Sequence, residues 1–170
     1  MTKDIIFRPP KLTDTIAATD FINSLVEEQA MILCNVKVTL RKEKIWLSSL
    51  MEQIRRKQAV ALIADKEGLC GICTIKKGMG ASSHVGILDI SVSKELRRKG
   101  IGKKLLKLTI REAEAQMSTK IVKLEVMAVN EPAINLYRSV DFLEIGRIKK
   151  AAFYRAKYHD VILMVKYLKW

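Results

Sequence analysis

L-D-I-S-V-S-K-E-L-R-R-K-G-I-G-K-K-L-L, residues Leu88 to Leu106, is the stretch on which the reading of this chain turns. Leu88, Ile90 and Val92 alternate with polar neighbours, the period of a strand with one buried face. A short charged turn leads into Arg97-x-x-Gly100-x-Gly102, and Leu105, Leu106, Leu108 and Ile110 then open the apolar face of a helix. A strand that feeds a glycine-spaced basic loop into a helix start suits a bound phosphate. Free N–H groups and the positive helix end face the anion, and glycine lets the backbone come close. Two glycines before a helix also suit a plain tight turn, so spacing has to discriminate.

A P-loop needs G-x-x-x-x-G-K-[ST]; that spacing is missing, as is a Ser or Thr for magnesium. A dinucleotide fold needs G-x-G-x-x-G at the start of a βαβ unit, with an acidic residue about 20 positions on. Here the third glycine is missing and the motif begins only at Arg97. What remains is an anion site flanked by Arg97, Arg98, Lys99, Lys103 and Lys104, whose expected guest is a pyrophosphate held without metal.

A second block follows from Lys123 to Phe142, K-L-E-V-M-A-V-N-E-P-A-I-N-L-Y-R-S-V-D-F. Leu124 to Val129 is an apolar, β-rich run and predicts a strand. Asn130 closes it, and Pro132 fits the first turn of a helix, where its missing N–H costs nothing. Ala133, Ile134, Leu136 and Tyr137 give that short helix an apolar face. R-x-x-G-x-G after a strand, then N-x-x-A-x-x-L-Y running on to Phe142, resembles the GNAT superfamily of acyl-CoA-dependent N-acetyltransferases. The resemblance spans the chain from about Ala59 to the C-terminus. Nearest in look are the ribosomal-protein alanine N-acetyltransferases and the amino-acid N-acetyltransferases, through L-E-V, Asn130, A-I-x-L-Y and Tyr158-x-Asp160…Met164. Two departures stand out. Ser93 and Lys94 occupy a place where the family usually has Pro, and Asp141 stands where Gly is usual. Asp tolerates the left-handed conformation that ends a helix, so the turn is expected to persist.

The resemblance implies an α/β (α+β) fold, a mixed and mostly antiparallel sheet of about seven strands with helices on both faces. The local patterns agree. Ile5–Arg8 reads as a strand; Thr13 caps a helix from Asp14 to about Glu28, and Met31–Val38 is a loop or the end of that helix. Thr39 opens a second helix on Leu47, Leu50, Met51 and Ile54. Ala59–Ala64 and Leu69–Ile75 flank a hairpin turn, Lys76–Ser83 reads as a loop, and His84–Val92 leads to the phosphate loop. A long helix (Gly102–Met117), a strand (Ile121–Val129) and a short helix (Pro132–Ser139) follow. Two last strands, Leu143–Ala151 and Val161–Tyr167, flank a polar and aromatic connection.

At 170 residues and 49% hydrophobic the chain suits one domain, residues 1–170, rather than two. No apolar run reaches the ~18 residues of a membrane span, and M-T-K-D-I-I-F-R-P-P lacks a secretion signal's apolar core, so a cytoplasmic enzyme is expected. Cys34, Cys70 and Cys73 do not suit a disulfide framework. Cys70-Gly-Ile-Cys73 invites a redox or zinc reading. It lies in an apparent strand, where residues three apart face opposite ways, and Cys34, His84 and His159 offer no motif spacing, so buried structural thiols are expected and no metal. The net charge of +13 reads as a solvated lysine-rich surface or as a field attracting an anionic cofactor or a nucleic-acid-associated substrate. Aromatics make up only 6% and are not interleaved with the cations, so nucleic acid is not expected as a direct ligand.

Acetyl transfer from a thioester to an amine needs a held cofactor, a deprotonated amine, an oxyanion donor and a proton for the thiolate. By resemblance, acetyl-CoA is the acyl donor and lies against the backbone of Ile90, Ser91 and Val92, one N–H of which serves the oxyanion. The loop Arg97, Arg98, Lys99, Gly100, Ile101, Gly102 and Lys103 takes its pyrophosphate, while Asn130 and Asn135 either bond the cofactor or cap the helix. Glu125, a carboxylate inside an apolar strand, faces either water or a site, and the family match makes it the general base. Glu27 and Glu28 are rivals. Tyr137 is the candidate acid, with a core tyrosine as the alternative. His84 and His159 are assigned no catalytic role; Tyr154, Tyr158 and His159 are placed beside the acceptor by position alone. The expected acceptor is a protein or peptide N-terminal α-amine. An amino acid or other small amine, and a catalytically silent acyl-CoA-binding module, are the alternatives. A homodimer is left open.

Overall fold

The computed structural model describes residues 4–33 and 36–169, so Cys34 lies outside the described residues. Chain order runs β1 (Ile6–Arg8), α1 (Thr15–Glu27), α2 (Leu40–Arg55), β2 (Ala59–Asp65), β3 (Leu69–Lys77) and β4 (Val85–Val92). It continues through α3 (Ile101–Met117), β5 (Ile121–Met127), α4 (Glu131–Arg138), β6 (Leu143–Tyr154) and β7 (Lys157–Tyr167). The strands form one seven-stranded sheet in the order β1-β2-β3-β4-β5-β7-β6. Only β4 and β5 run parallel; every other pairing is antiparallel. This is the mixed sheet expected from the sequence.

Helix spacing decides which face is covered. On α3, Leu105, Leu106, Ile110, Ala113 and Met117 fall on one stripe and are buried against Val60, Cys73, Ile75, Leu88, Val122 and Leu124. Each fully buried Leu contributes roughly 1.5–3 kcal/mol, and Leu106→Ala is expected to cost about 2–5 kcal/mol with its cavity. The opposite face carries α1, through Phe21 and Leu25 against Leu69 and Ile72, and α2, through Leu47 and Leu50 against Ala59 and Ala61. Thr39 caps α2, its hydroxyl accepting from the Lys42 N–H at 3.3 Å. Asp141 takes φ +68, the left-handed form expected there, and the Phe142 N–H closes the turn on the Tyr137 carbonyl at 3.1 Å. Among the described residues no helix is long and apolar enough to cross a membrane.

Three expectations need correction. The last two strands run into one long hairpin, so Tyr154 ends β6 and Tyr158 and His159 lie in β7, not in a loop. The turn is Arg155-Ala156, both left-handed at φ +49 and +56, and neither is the Gly or Asn that marks such turns. Second, β3 continues through Lys76 and Lys77, held by the Gln58 carbonyl on the Lys77 N–H at 2.8 Å. Third, Cys70 and Cys73 do not face opposite ways. Asp65 pairs with Leu69 and Ala64 with Gly71, which makes Cys70 the extra residue of a bulge, and both cysteines pack on the α3-side core. Both are free thiols; burial raises Cys70 and pushes Cys73 up to about 12. Among the described residues no three His, Cys, Asp or Glu side chains gather as a metal ion requires.

Candidate active site

β4 meets its two neighbours differently. It pairs with β3 from Gly86 to Val92, but with β5 only where Val85, Gly86 and Ile87 face Ile121, Val122 and Lys123. β5 meanwhile follows β7 as far as Met127↔Val161. Leu88–Val92 and Leu124–Met127 therefore diverge as two edges with no ladder between them, leaving backbone donors and acceptors for a guest. Gly86 permits the close approach at the vertex. A Cβ there would stand 2.5 Å from Ile75 Cγ2 and 3.2 Å from Thr119 Cγ2.

Alternation assigns the walls of this V. Leu88, Leu124 and Val126 turn into the core, so Ile87, Asp89, Lys123 and Glu125 turn to the other face. The register Ile87↔Lys123 puts Asp89 and Glu125 at the next same-face position on either side of the opening. Glu125 is exposed and makes no ion pair or side-chain hydrogen bond among the described residues. Solvent also reaches Asp89, but the strands crowd its carboxyl. That desolvation raises its pKa, with Lys76 pulling the other way. Sequence reasoning passed over Asp89 because alternation alone marks it as an exposed strand residue.

Tyr137 comes to the V from α4 and is 7% exposed, its ring 5.8 Å from that of Phe142. Burial pushes its phenol above the ordinary range, and Cys73 and Asp89 push in the same direction. The hydroxyl has no hydrogen-bond partner among the described residues. Tyr137 is thus a protonated, unengaged donor within electrostatic reach of Asp89.

At the mouth of the V, Gly100 is left-handed at φ +78, with open space where a Cβ would project. The first bond of α3 runs from the Lys104 N–H to the Gly100 carbonyl at 3.0 Å, so the N–H groups of Ile101, Gly102 and Lys103 precede the helix ladder. Arg98, Lys99 and Lys103 are exposed around them. An open cavity of about 440 Å³ continues along α3, lined by Gly100, Lys103, Lys104, Lys107, Leu108 and Arg111. Lys107 and Arg111 extend the cationic set beyond the residues that the motif marked.

The remaining candidates are already engaged, or sit at the margin. Arg97 turns its guanidinium from the loop towards β4 and α1. Its Nε donates to the Val92 carbonyl at 2.9 Å and its Nη2 to Glu28. Glu27 is paired with Lys37 at 2.8 Å, so both rival carboxylates have cationic partners. The Asn130 side chain accepts from the Ala133 N–H at 3.3 Å and donates to the Met31 carbonyl at 3.0 Å; it caps α4 and ties down the segment after α1. Asn135 is exposed on α4. Tyr154 donates to the Gln29 carbonyl at 2.6 Å, and His159 Nε2 lies 3.1 Å from the Tyr154 carbonyl. The Tyr158 ring packs 5.0 Å from Phe153 at the exposed hairpin tip.

A parallel strand pair thus splays beside an N–H-rich loop and a basic helix start, an arrangement with unpaired backbone groups for an extended guest and donors for an anion. The acetyltransferase (GNAT) family model matches residues 32–142, more than half of the chain. The chain belongs to that family. An N-alpha-acetyltransferase of Sulfurisphaera tokodaii is 37% identical over 90 residues, 53% of this chain and 48% of that one. The chain thus spans about half the length of the curated relatives it matches. The structure of a ribosomal-protein-alanine N-acetyltransferase from Brucella melitensis is similar at TM-score 0.83 and 25% identity, covering 96% of this chain and 99% of that one. A GNAT-family acetyltransferase from Streptococcus pneumoniae shares the fold at TM-score 0.87 and 24% identity, over 97% of this chain and 100% of the other.

Proposed function

We propose that this protein is an acetyl-CoA-dependent N-acetyltransferase that passes acetyl directly to a primary amine, the N-terminal α-amine of a protein or peptide. The observation that carries the reading is the V between β4 and β5, with an anion cradle at its mouth and two carboxylates on its open face. The residues present fit the cofactor. Gly100 leaves open space, the N–H groups of Ile101, Gly102 and Lys103 suit a pyrophosphate, and Arg98, Lys99 and Lys103 supply charge. The edge of Ile90, Ser91 and Val92, unpaired with β5 and with its Val92 carbonyl held by Arg97, suits the amide-bearing pantetheine arm. When bound, acetyl-CoA supplies a thioester carbonyl.

The chain's own residues then divide the work. A backbone N–H of the Ile90–Val92 edge donates to the developing oxyanion. Glu125, with Asp89 across the opening, takes the ammonium proton directly or through water. Tyr137 donates to the departing sulfur, and its raised pKa keeps the proton available. Direct transfer is supported by the described cysteines, which burial holds as thiols.

Two things favour an α-amine. The curated relatives bear the name N-alpha-acetyltransferase. A peptide α-amine, with a reference pKa of ~7.7–8.0, is also about a tenth neutral at pH 7, against roughly one in 2,500 for lysine at ~10.4. Peptide and protein partners, and a cytoplasmic setting, follow from this reading, in keeping with the free thiols. Leu143, Ile145 and Ile148 leave β6 with uncovered apolar side chains, which supports a homodimer; light scattering on the purified protein decides it. The function itself is tested by thiol release from acetyl-CoA against a panel of peptides, amino acids and polyamines. Release with free-N-terminus peptides is expected, and release with polyamines alone would overturn the acceptor.

A further inference from the structure

The residues just after α1, Glu28 to Met31, touch three separate parts of the site. The Glu28 carboxylate accepts from Arg97, whose Nε also holds the Val92 carbonyl at 2.9 Å. The Gln29 carbonyl accepts from Tyr154 of β6 at 2.6 Å, and the Met31 carbonyl from Asn130 beyond β5 at 3.0 Å. Two of these links end on backbone carbonyls of the segment, which any residue at 29 or 31 would offer. Only Glu28 contributes a side chain, so position 28 is where the sequence chooses to make the link.

The chemistry of Arg97 gives that link its consequence. Nε and Nη2 lie on one edge of a planar, rigid guanidinium, so a shift of either acceptor is felt by the other. One acceptor is the last carbonyl of β4, at the open end of the V. The other is the carboxylate that anchors the segment between α1 and α2. Taking the V as the thioester slot, as proposed above, we infer that Glu28 is a positioning residue. Through Arg97 it couples occupation of the slot to the order of the acceptor-side wall. An arm bonded along Ile90–Val92 fixes the Val92 carbonyl, hence Arg97, hence Glu28 and the residues behind it. The acceptor then meets a wall that is already placed. Linkage requires the effect to be reciprocal: a bound acceptor tightens the cofactor by the same factor.

The test is calorimetric, on the full chain, with coenzyme A and a short peptide that has a free α-amine and blocked lysines. In the wild type, saturating coenzyme A is expected to tighten peptide binding at least about fivefold, the low end for coupled sites. Glu28→Ala brings that ratio close to one while the thermal stabilisation by coenzyme A alone persists, and Glu28→Asp restores part of the coupling. In turnover, Glu28→Ala raises the acceptor KM and changes kcat far less, a split that a merely structural role would not give. Should Glu28→Ala fail to fold, Arg97→Lys is the second variant, because one ammonium cannot replace the two-acceptor edge. A wild-type ratio of one, or an unchanged ratio in the variants, overturns the inference. A wild-type protein that does not bind coenzyme A at all overturns instead the reading on which the inference rests, and the inference with it.

Discussion

β4 has two edges, and they have different fates. The edge towards β3 is laddered from Gly86 to Val92, whereas the edge towards β5 is laddered only as far as Ile87. The laddered edge stitches Cys73, Ile75 and Leu88 into the core under α3. The bare edge carries no strand ladder beyond Ile87; its Val92 carbonyl is held by Arg97, and its other backbone groups are left for a guest. The contrast shows how a single strand can be laddered on one side and open on the other. In the proposed function, groups present in every sequence, backbone N–H and C=O, hold the guest where pairing stops. Under the proposed function, the side chains that alternation turns towards the opening, Asp89 and Glu125, supply the base that the backbone cannot.

Blocking the mouth of the bare edge is expected to have the largest effect. At a hundred times its Kd, acetyl-CoA is expected to stabilise the wild type by about 2.7 kcal/mol. With Gly100 and Gly102 both changed to Val, a thermal scan is expected to show no such gain. Val at Gly100 is strained at φ +78, whereas a Cβ at Gly102 meets Leu136 and Val92 at the ordinary contact distances of 3.5 and 3.6 Å, so Gly102→Ala serves as the control that keeps the fold. A surviving shift would remove the loop from the account.

Next come the carboxylates. Glu125→Gln and Asp89→Asn are each expected to lower kcat/KM by about 10²–10⁴, most strongly below the acceptor's pKa. Because the Asp89 pKa is raised, the acid limb it contributes lies above the ordinary carboxylate range, and Asp89→Asn removes that limb. The sign for stability runs the other way. A raised folded-state pKa gives stability that is full below the unfolded value and is lost as pH rises through the folded one. Asp89→Asn is therefore expected to melt higher than wild type at neutral pH, with the gap closing in acid.

Tyr137→Phe removes one hydrogen bond to a charged leaving group, worth about 1.5–3 kcal/mol, or roughly ten- to hundredfold in kcat. Since the phenol is held well above its ordinary range, the wild-type profile shows no alkaline limb from it. The smallest effect belongs to the vertex. Gly86→Ala drives a methyl into Ile75 and is expected to cost about 1–3 kcal/mol in denaturant unfolding, with little change in KM.

The parts of this picture that a linear reading recovers are those with local causes. Gly100 announces the loop because its left-handed φ of +78 favours glycine, and Asn130 and Pro132 announce the α4 start because capping is local. Asp89 carries no such local mark, since its setting depends on where β5 departs, far along the chain. The motif alone makes Arg97 a phosphate ligand, and its engagement with Val92 and Glu28 depends on α1 folding back across the sheet. The β6–β7 hairpin was hidden for a different reason. Arg155 and Ala156 adopt left-handed backbone without the residues that usually signal it. Cys70 was put on the wrong side by strict alternation, which the bulge at Ala64 and Asp65 breaks.

The central claim is that the bare edge of β4 presents a thioester to an α-amine. One peptide tests it most directly, carrying a free N-terminus and a single free lysine, incubated with acetyl-CoA and the protein and read by fragmentation mass spectrometry. One acetyl group is expected on the N-terminal nitrogen, in step with the thiol released. Acetyl found on the lysine in equal or greater amount would contradict it.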